Sequence, residues 1–236
     1  MTKPVTSTAV MMLVEEGKVA PNDPLSKFVP EFASVEVLND AGERVPSDGP
    51  TTIQHLLTHT SGLTYGFFGN TPVDQLYREA GTFANATSLE QFASEIAALP
   101  LLAHPGEVWN YSVSTDILGR MVKVASEQSF DAFLREHIFG PLGMEDTAFH
   151  VAAEKLHRFS GNYATVDGEL RLTDSPVDGQ YTRPAQWLSG GEGSPPPRPT
   201  TSASPRCCST EASSTAPGSS RRPASTPCER ITSINR

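Results

Sequence analysis

Two side chains stand out for the chemistry they could do, Lys3 and Tyr111. Lys3 opens a stretch whose apolar residues Val5, Ala9, Val10, Met12 and Leu13 recur at helical spacing until Gly17. A cation at a helix start opposes the backbone dipole, so something must compensate it. Tyr111 follows Pro105-Gly106-Glu107-Val108-Trp109-Asn110, a turn-rich approach that presents a phenol at the mouth of the next helix. An aromatic there is also an ordinary packing residue. His55 and His59 have a spacing that zinc sites use, yet HLLTH lacks the adjacent Glu of a metalloprotease helix and a third ligand. The reading is therefore no metal. Ser61-Gly62, Ser112 and Ser189-Gly190-Gly191 resemble nucleophile turns, but none lies in a Gly-x-Ser-x-Gly elbow. The run Gly190-Gly191-Glu192-Gly193 has no Lys-Ser or Lys-Thr after it, which excludes a P-loop and leaves a turn against a neighbouring strand.

The elements that must position these groups follow from periodicity and caps. The first helix starts very near Met1, because Pro4 is tolerated only in a first turn. Residues 21 to 51, rich in Pro, Asp and Gly, read as loop with short turns. Thr52 to Leu57 reads as a short helix with Gly62 as its stop. Ser88 and Gln91 form a capping box ahead of Phe92, Ile96 and Leu99, and Pro100 ends that helix. Another helix runs from Ser114 or Thr115 to about Ala125, presenting Ile117, Leu118, Met121, Val122 and Val124. Ser129 caps one more, through Phe130, Phe133, Leu134 and Ile138 to Gly140-Pro141. The period then changes to two, since Asn162 to Val166 and Glu169 to Thr173 alternate around Asp167-Gly168, a pair that favours a type I′ hairpin.

The chain has 236 residues and a formal net charge of -9, but the charge is unevenly spread. Residues 1 to 193 carry 12 Lys and Arg against 25 Asp and Glu, whereas 194 to 236 carry 6 against 2. The acidic body would repel a phosphate backbone, so nucleic acid is not the expected partner. No window approaches the roughly 18 apolar residues of a membrane span, and the first residues lack the basic start of a secretory signal. Neither membrane nor export is therefore expected, although the compartment and the oligomeric state stay open. The stretch from 194 holds all 3 Cys and 8 of the 20 Pro, and its only large aliphatic residues are Ile231 and Ile234. Such a composition cannot offset the entropy of ordering. One reading is a disordered Ser/Thr/Pro tail. The other is a stretch translated out of frame over 194 to 228, because the codons for Arg206-Cys207-Cys208-Ser209 read one base earlier can spell an apolar helical pattern. On either reading Cys207 and Cys208, being adjacent and without a nearby His, are no metal site.

Four ordered segments, MTKPVTSTAVMMLVEEGKV, TIQHLLTHTSGL, PGEVWNYSVSTDILGRMV and FGPLGMEDTAF, resemble those of the serine beta-lactamase-related hydrolases, in particular the family VIII carboxylesterases and class C-like beta-lactamases. The likeness spans residues 1 to 193. It implies an α+β fold, a helical lobe set against an antiparallel sheet. This chain supplies most of the lobe, here with a hairpin, and only part of the sheet. The expectation is a partial domain over 1 to 193 with apolar surface exposed where further strands pack.

The resemblance also implies a mechanism. In that family a Ser-x-x-Lys motif supplies a nucleophile and its partner, and a Tyr-containing motif supplies a second proton-transfer group, which here assigns catalytic roles to Lys3 and Tyr111. Residues three apart share a helix face, so a Ser three before Lys3 would set its hydroxyl beside the amine. That position is the one just before Met1, and on this reading the chain as it stands is inactive. Val113 occupies the place where penicillin-hydrolysing relatives carry Asn, and Val cannot donate to a lactam amide, which favours simple esters. The expected substrate is a small-molecule ester or lactam, with no cofactor. The rivals are a beta-lactamase or peptidoglycan peptidase on the same scaffold, and a non-catalytic ligand-binding relative or pseudogene product.

Overall fold

The structure, a computed structural model, describes residues 2–191, so both readings of the tail from 194 onward lie outside the described residues. The first helix, α1, runs Thr2–Glu15, and Ala9, Val10 and Leu13 on its inner face are fully buried. Gly17, at φ +70°, turns the chain out of it, its N–H bonding to the Val14 carbonyl while that of Lys18 reaches Leu13. The segment 21 to 51, expected to be loop with short turns, contains two short 3-10 helices and a hairpin of β1 (Glu36–Leu38) and β2 (Arg44–Pro46). These strands are too short for alternation to show against their Pro, Asp and Gly neighbours. Tertiary pairing supplies what propensity lacks, since Leu38 N–H donates to the Leu101 carbonyl and Leu101 N–H to that of Glu36.

Helix α2 (Ile53–Leu57) lies where a short helix was expected, with Thr52 as its cap, but it stops at Thr58, and His59 itself takes the left-handed turn at φ 56°, ahead of Gly62. Helices α3 (Pro72–Ala80) and α4 (Thr82–Asn85) were not among the expected elements, although Val73, Leu76, Tyr77 and Ala80 of α3 follow the helical period. Thr71 caps α3, Pro72 enters its first turn, and the Asp74 carboxylate reaches back to the Thr71 N–H. Helix α5 (Leu89–Ala97) accepts its cap from Ser88, but the reciprocal bond goes one residue further, from Thr87 N–H to Gln91 Oε1.

At the centre lies α6 (Ser114–Ser126), packed against α1, α2, α5 and α7 (Phe130–Leu134). Its Ile117, Leu118, Met121 and Val122 are fully buried, each removing apolar area that stabilises by about 1.5–3 kcal/mol. Ser129 precedes α7 without a side-chain cap, and the chain continues as a π-helical turn over Arg135–Phe139 before Gly140. The Asp167-Gly168 hairpin forms as expected. Strand β3 (Asn162–Val166) pairs antiparallel with β4 (Glu169–Asp174), and both turn residues have positive φ. Its side chains Tyr163, Leu170 and Leu172 are exposed, so this pair borders the core without completing it. The chain then returns to the core. Trp187 stacks on Phe92 with centroids 4.4 Å apart, which fixes residues 187–191 across the helical lobe.

Candidate active site

The returning strap organises the site. Of the run 190–193, expected to turn against a strand, the described Gly190 and Gly191 press onto the first turns of α1 and α6. A Cβ on Gly190 would run into the Thr115 carbonyl oxygen and come within 3.3 Å of the Gly119 N. Glycine is thus required at 190 for close backbone approach. Thr6 Oγ1 donates to the Gly190 carbonyl at 2.7 Å, and Lys3 Nζ donates to the Gly191 carbonyl at 2.9 Å. This carbonyl is one part of the compensation that a cation at the start of α1 requires.

The other part is aromatic. Lys3 Nζ lies 4.8 Å from the Tyr111 ring centroid and 5.3 Å from that of Tyr65, within cation–π range of both. No carboxylate is within ion-pair distance of Lys3 among the described residues. Lys3 and Tyr111 are each half-buried, and they meet although α1 and the approach to α6 bear them separately.

Asp116, in the first turn of α6, holds the strap. It is fully buried, its Oδ1 accepts from the Ser189 hydroxyl, and the Gly191 N–H donates to the same oxygen at 2.9 Å. Burial pushes its carboxyl above the ordinary value, opposed by the Ser189 and Gly191 bonds and by the Lys3 charge. One carboxylate therefore fixes the carbonyl on which Lys3 rests. Sequence reasoning missed Asp116, Tyr65 and the strap. An acidic residue in a helix's first turn reads as a partner of the dipole, and its true partners are far along the chain.

His59 flanks Tyr111, with ring centroids 4.9 Å apart. The Ser112 N–H donates to His59 Nδ1 at 3.3 Å, which makes Nδ1 the acceptor and leaves the ring proton on Nε2. Burial, aided by the charge of Lys3, pushes the imidazole down to about 4, so it is neutral at physiological pH. From there a line of hydroxyls runs inward. Ser112 Oγ is 2.8 Å from Ser114 Oγ, which is 2.7 Å from Ser61 Oγ, and the Leu63 N–H closes the line on Ser61 at 3.3 Å. These three serines are fully buried and serve one another. His55 is occupied elsewhere, accepting from the Thr52 N–H through Nδ1 in the cap of α2. No group of metal-ligating side chains assembles among the described residues. Within the same residues no helix is long and apolar enough to cross a membrane.

The Lys3 amine thus rests on a backbone carbonyl beside the Tyr111 ring, in a chain with recognisable relatives. Over 165 residues the chain is 36% identical to Esterase EstB of Burkholderia gladioli, covering 69% of this chain and 40% of that protein. It is 31% identical over 211 residues to Monacolin J acid methylbutanoyltransferase of Aspergillus terreus strain NIH 2624 / FGSC A1156, covering 82% and 49%. Among solved structures, unliganded Simvastatin Synthase (LovD) from Aspergillus terreus, in its selenomethionyl form, superposes with a TM-score of 0.64 at 30% identity, over 83% of this chain and 50% of that one. The chain spans about half the length of the curated relatives it matches. The fold is accordingly that of the serine beta-lactamases and transpeptidases, an α+β architecture represented among the described residues by its helix-rich part with two small antiparallel sheets. The Beta-lactamase family matches residues 1–206, and the chain belongs to that family, whose relatives of this type include an esterase and an acyltransferase.

Proposed function

We propose that the protein hydrolyses small carboxylic esters through a serine acyl-enzyme, with Lys3 as general base and Tyr111 as the second proton-transfer group. The observation that carries this reading is the 4.8 Å approach of the Lys3 amine to the Tyr111 ring. The nucleophile that this reading requires is a Ser one helical turn ahead of Lys3. Its hydroxyl proton passes to the Lys3 amine as Oγ bonds to the ester carbonyl carbon. The C–O bond to the alcohol then breaks, and the alcohol leaves with a proton delivered through Tyr111. Water adds to the acyl-enzyme by the same route reversed, releasing the acid and restoring the serine. Neutral His59 packs beside Tyr111 without adding a second cation to the site. Val113, fully buried, supports esters over lactams because it offers no amide donor to the substrate.

The test is the open reading frame read from its upstream codons, assayed with p-nitrophenyl butyrate and with nitrocefin. The expected result is ester turnover that falls about 100- to 10,000-fold in Lys3→Ala and in Tyr111→Phe, with little nitrocefin hydrolysis. Undiminished turnover in Lys3→Ala overturns the assignment, and faster turnover of nitrocefin than of the ester overturns the substrate class. The chain beginning at Met1 is expected to take no label from a fluorophosphonate probe. Labelling of Ser7, Ser61 or Ser112 would relocate the nucleophile.

A further inference from the structure

The mouth of this site carries large apolar side chains that the fold leaves in the open. Phe67 is 54% exposed, Phe68 66% and Trp109 66%. Isolated exposed aromatics need no explanation, but these are contiguous. Phe67 and Phe68 have centroids 4.6 Å apart, Phe68 is 5.7 Å from the Tyr111 ring, and Trp109 is 6.5 Å from it with its plane 25° away. Tyr111 is thus the ring that Phe68 and Trp109 share, and the amine of Lys3 lies against it.

Both loops that bear the walls are tied down, although the rings gain little from it. The loop 64–71 is pinned from behind by two residues of α3. Buried Asp74 accepts from Thr64 Oγ1 at 2.6 Å and from Thr71 N–H and Oγ1, while Arg78 donates to the carbonyls of Gly66 and Gly69 and to Asn70 Oδ1. Gly66, at φ +82°, packs so closely on α3 that a Cβ would come within 2.8 Å of the Tyr77 Cβ. The loop bearing Trp109 is held by Gly106 N–H on the Thr60 carbonyl, by Asn110 N–H on that of His59 and by Asn110 Nδ2 on that of Leu63. A buried carboxylate and a guanidinium that fix a loop whose two phenyl rings face water make sense if the rings meet a ligand. Rigid aromatic side chains bind at small entropic cost, and they select flat apolar groups.

Resting on the ester-hydrolase reading of Lys3 and Tyr111, we propose that Phe67, Phe68 and Trp109 form the specificity wall of the site and take the planar apolar group of the substrate. The preferred substrates are aryl or fused-ring esters over short aliphatic ones. The occupant is the substrate because the wall is continuous with Tyr111 and opens directly beside the amine.

Two measurements test this. On the protein read from its upstream codons, kcat/KM is compared for 2-naphthyl acetate, ethyl 2-naphthoate and ethyl acetate in the parent and in Phe67→Leu/Phe68→Leu and Trp109→Leu. The expected result is an aryl-over-alkyl ratio that falls about 10-fold in each variant for at least one naphthyl ester. A ratio unchanged for both esters, in variants with parental circular dichroism, overturns the inference even if ester hydrolysis itself stands. On the chain from Met1, independently of turnover, 2-naphthol is titrated against tryptophan fluorescence. Saturable quenching that Lys3→Ala retains and Phe67→Leu/Phe68→Leu weakens about 10-fold supports the wall even should the hydrolase assignment fail. Quenching that is absent, or indifferent to the phenylalanines, refutes it.

Discussion

Replacing Asp116 separates what its charge does from what its shape does. Asp116→Ala removes the acceptor of the Ser189 hydroxyl and of the Gly191 N–H, both converging on Oδ1 in a fully buried position. Losing a buried acceptor costs about 1–3 kcal/mol per bond. Gly191 N–H keeps a 3.2 Å contact with Ser189 Oγ, which places its share at the lower end. The sum is about 2–4 kcal/mol, a large part of the roughly 5–15 kcal/mol that holds a domain folded. Asp116→Asn keeps the accepting oxygen and removes only the charge, which burial already disfavours. Its cost at pH 7 should be within about 1 kcal/mol of zero. The two variants also differ in pH dependence. A carboxyl whose folded value is raised holds its proton in the fold while the unfolded chain has released it, from about 3.8 upward. The parent therefore loses stability relative to Asp116→Asn as pH rises from 3.8, and the difference levels off once the folded carboxyl has ionised. Urea titrations of the three proteins between pH 4 and 8 measure this. If Asn is as damaging as Ala, or if the parent gains on the Asn variant as pH rises, the account of Asp116 as a neutral-tolerant anchor of the strap is wrong.

Two further perturbations probe the same region. Gly190→Ala drives a methyl into the Thr115 carbonyl, so the strap must lift from α6; overpacking of this kind costs about 1–3 kcal/mol, or roughly 2–12 °C in thermal midpoint for a chain of this size. An unchanged midpoint in a calorimetric scan would mean that the strap does not sit where described. His59 is held neutral to about 4 in the fold and takes a proton near 6.5 when unfolded, so its burial destabilises the fold progressively as pH falls through that interval and no further below it. Compared with His59→Asn, which tolerates the left-handed backbone, the parent should lose stability from pH 6.5 to 4. Parallel pH profiles for the two proteins would contradict the buried, neutral imidazole.

Much of the helical frame was legible because α1, α5 and α6 each carry their core as a period that needs no distant partner to be recognised. The hairpin β3–β4 was legible for a local reason too, since Asp167 and Gly168 both tolerate the positive φ that their turn demands. What escaped was non-local. The strand β1 is completed by Leu101, and Asp74 of α3 braces a loop of exposed rings ten residues before it.

The site divides along the same line. Lys3 and Tyr111 stood in recognisable segments, but the reason Lys3 can occupy the start of a helix could not be read from its own segment. An ion pair is the usual answer to a cation placed against a dipole, and the carboxylate that electrostatics couples to Lys3 is Asp116. Asp116 instead spends Oδ1 on Ser189 and Gly191, and the Gly191 carbonyl on the far side of that peptide chain receives the amine. Charge is thereby exchanged for position. A carboxylate bonded directly to the amine would compete with the serine hydroxyl that the proposed mechanism brings to it, whereas one carbonyl and two ring faces fix the nitrogen and leave two of its three hydrogen-bonding directions to the pocket.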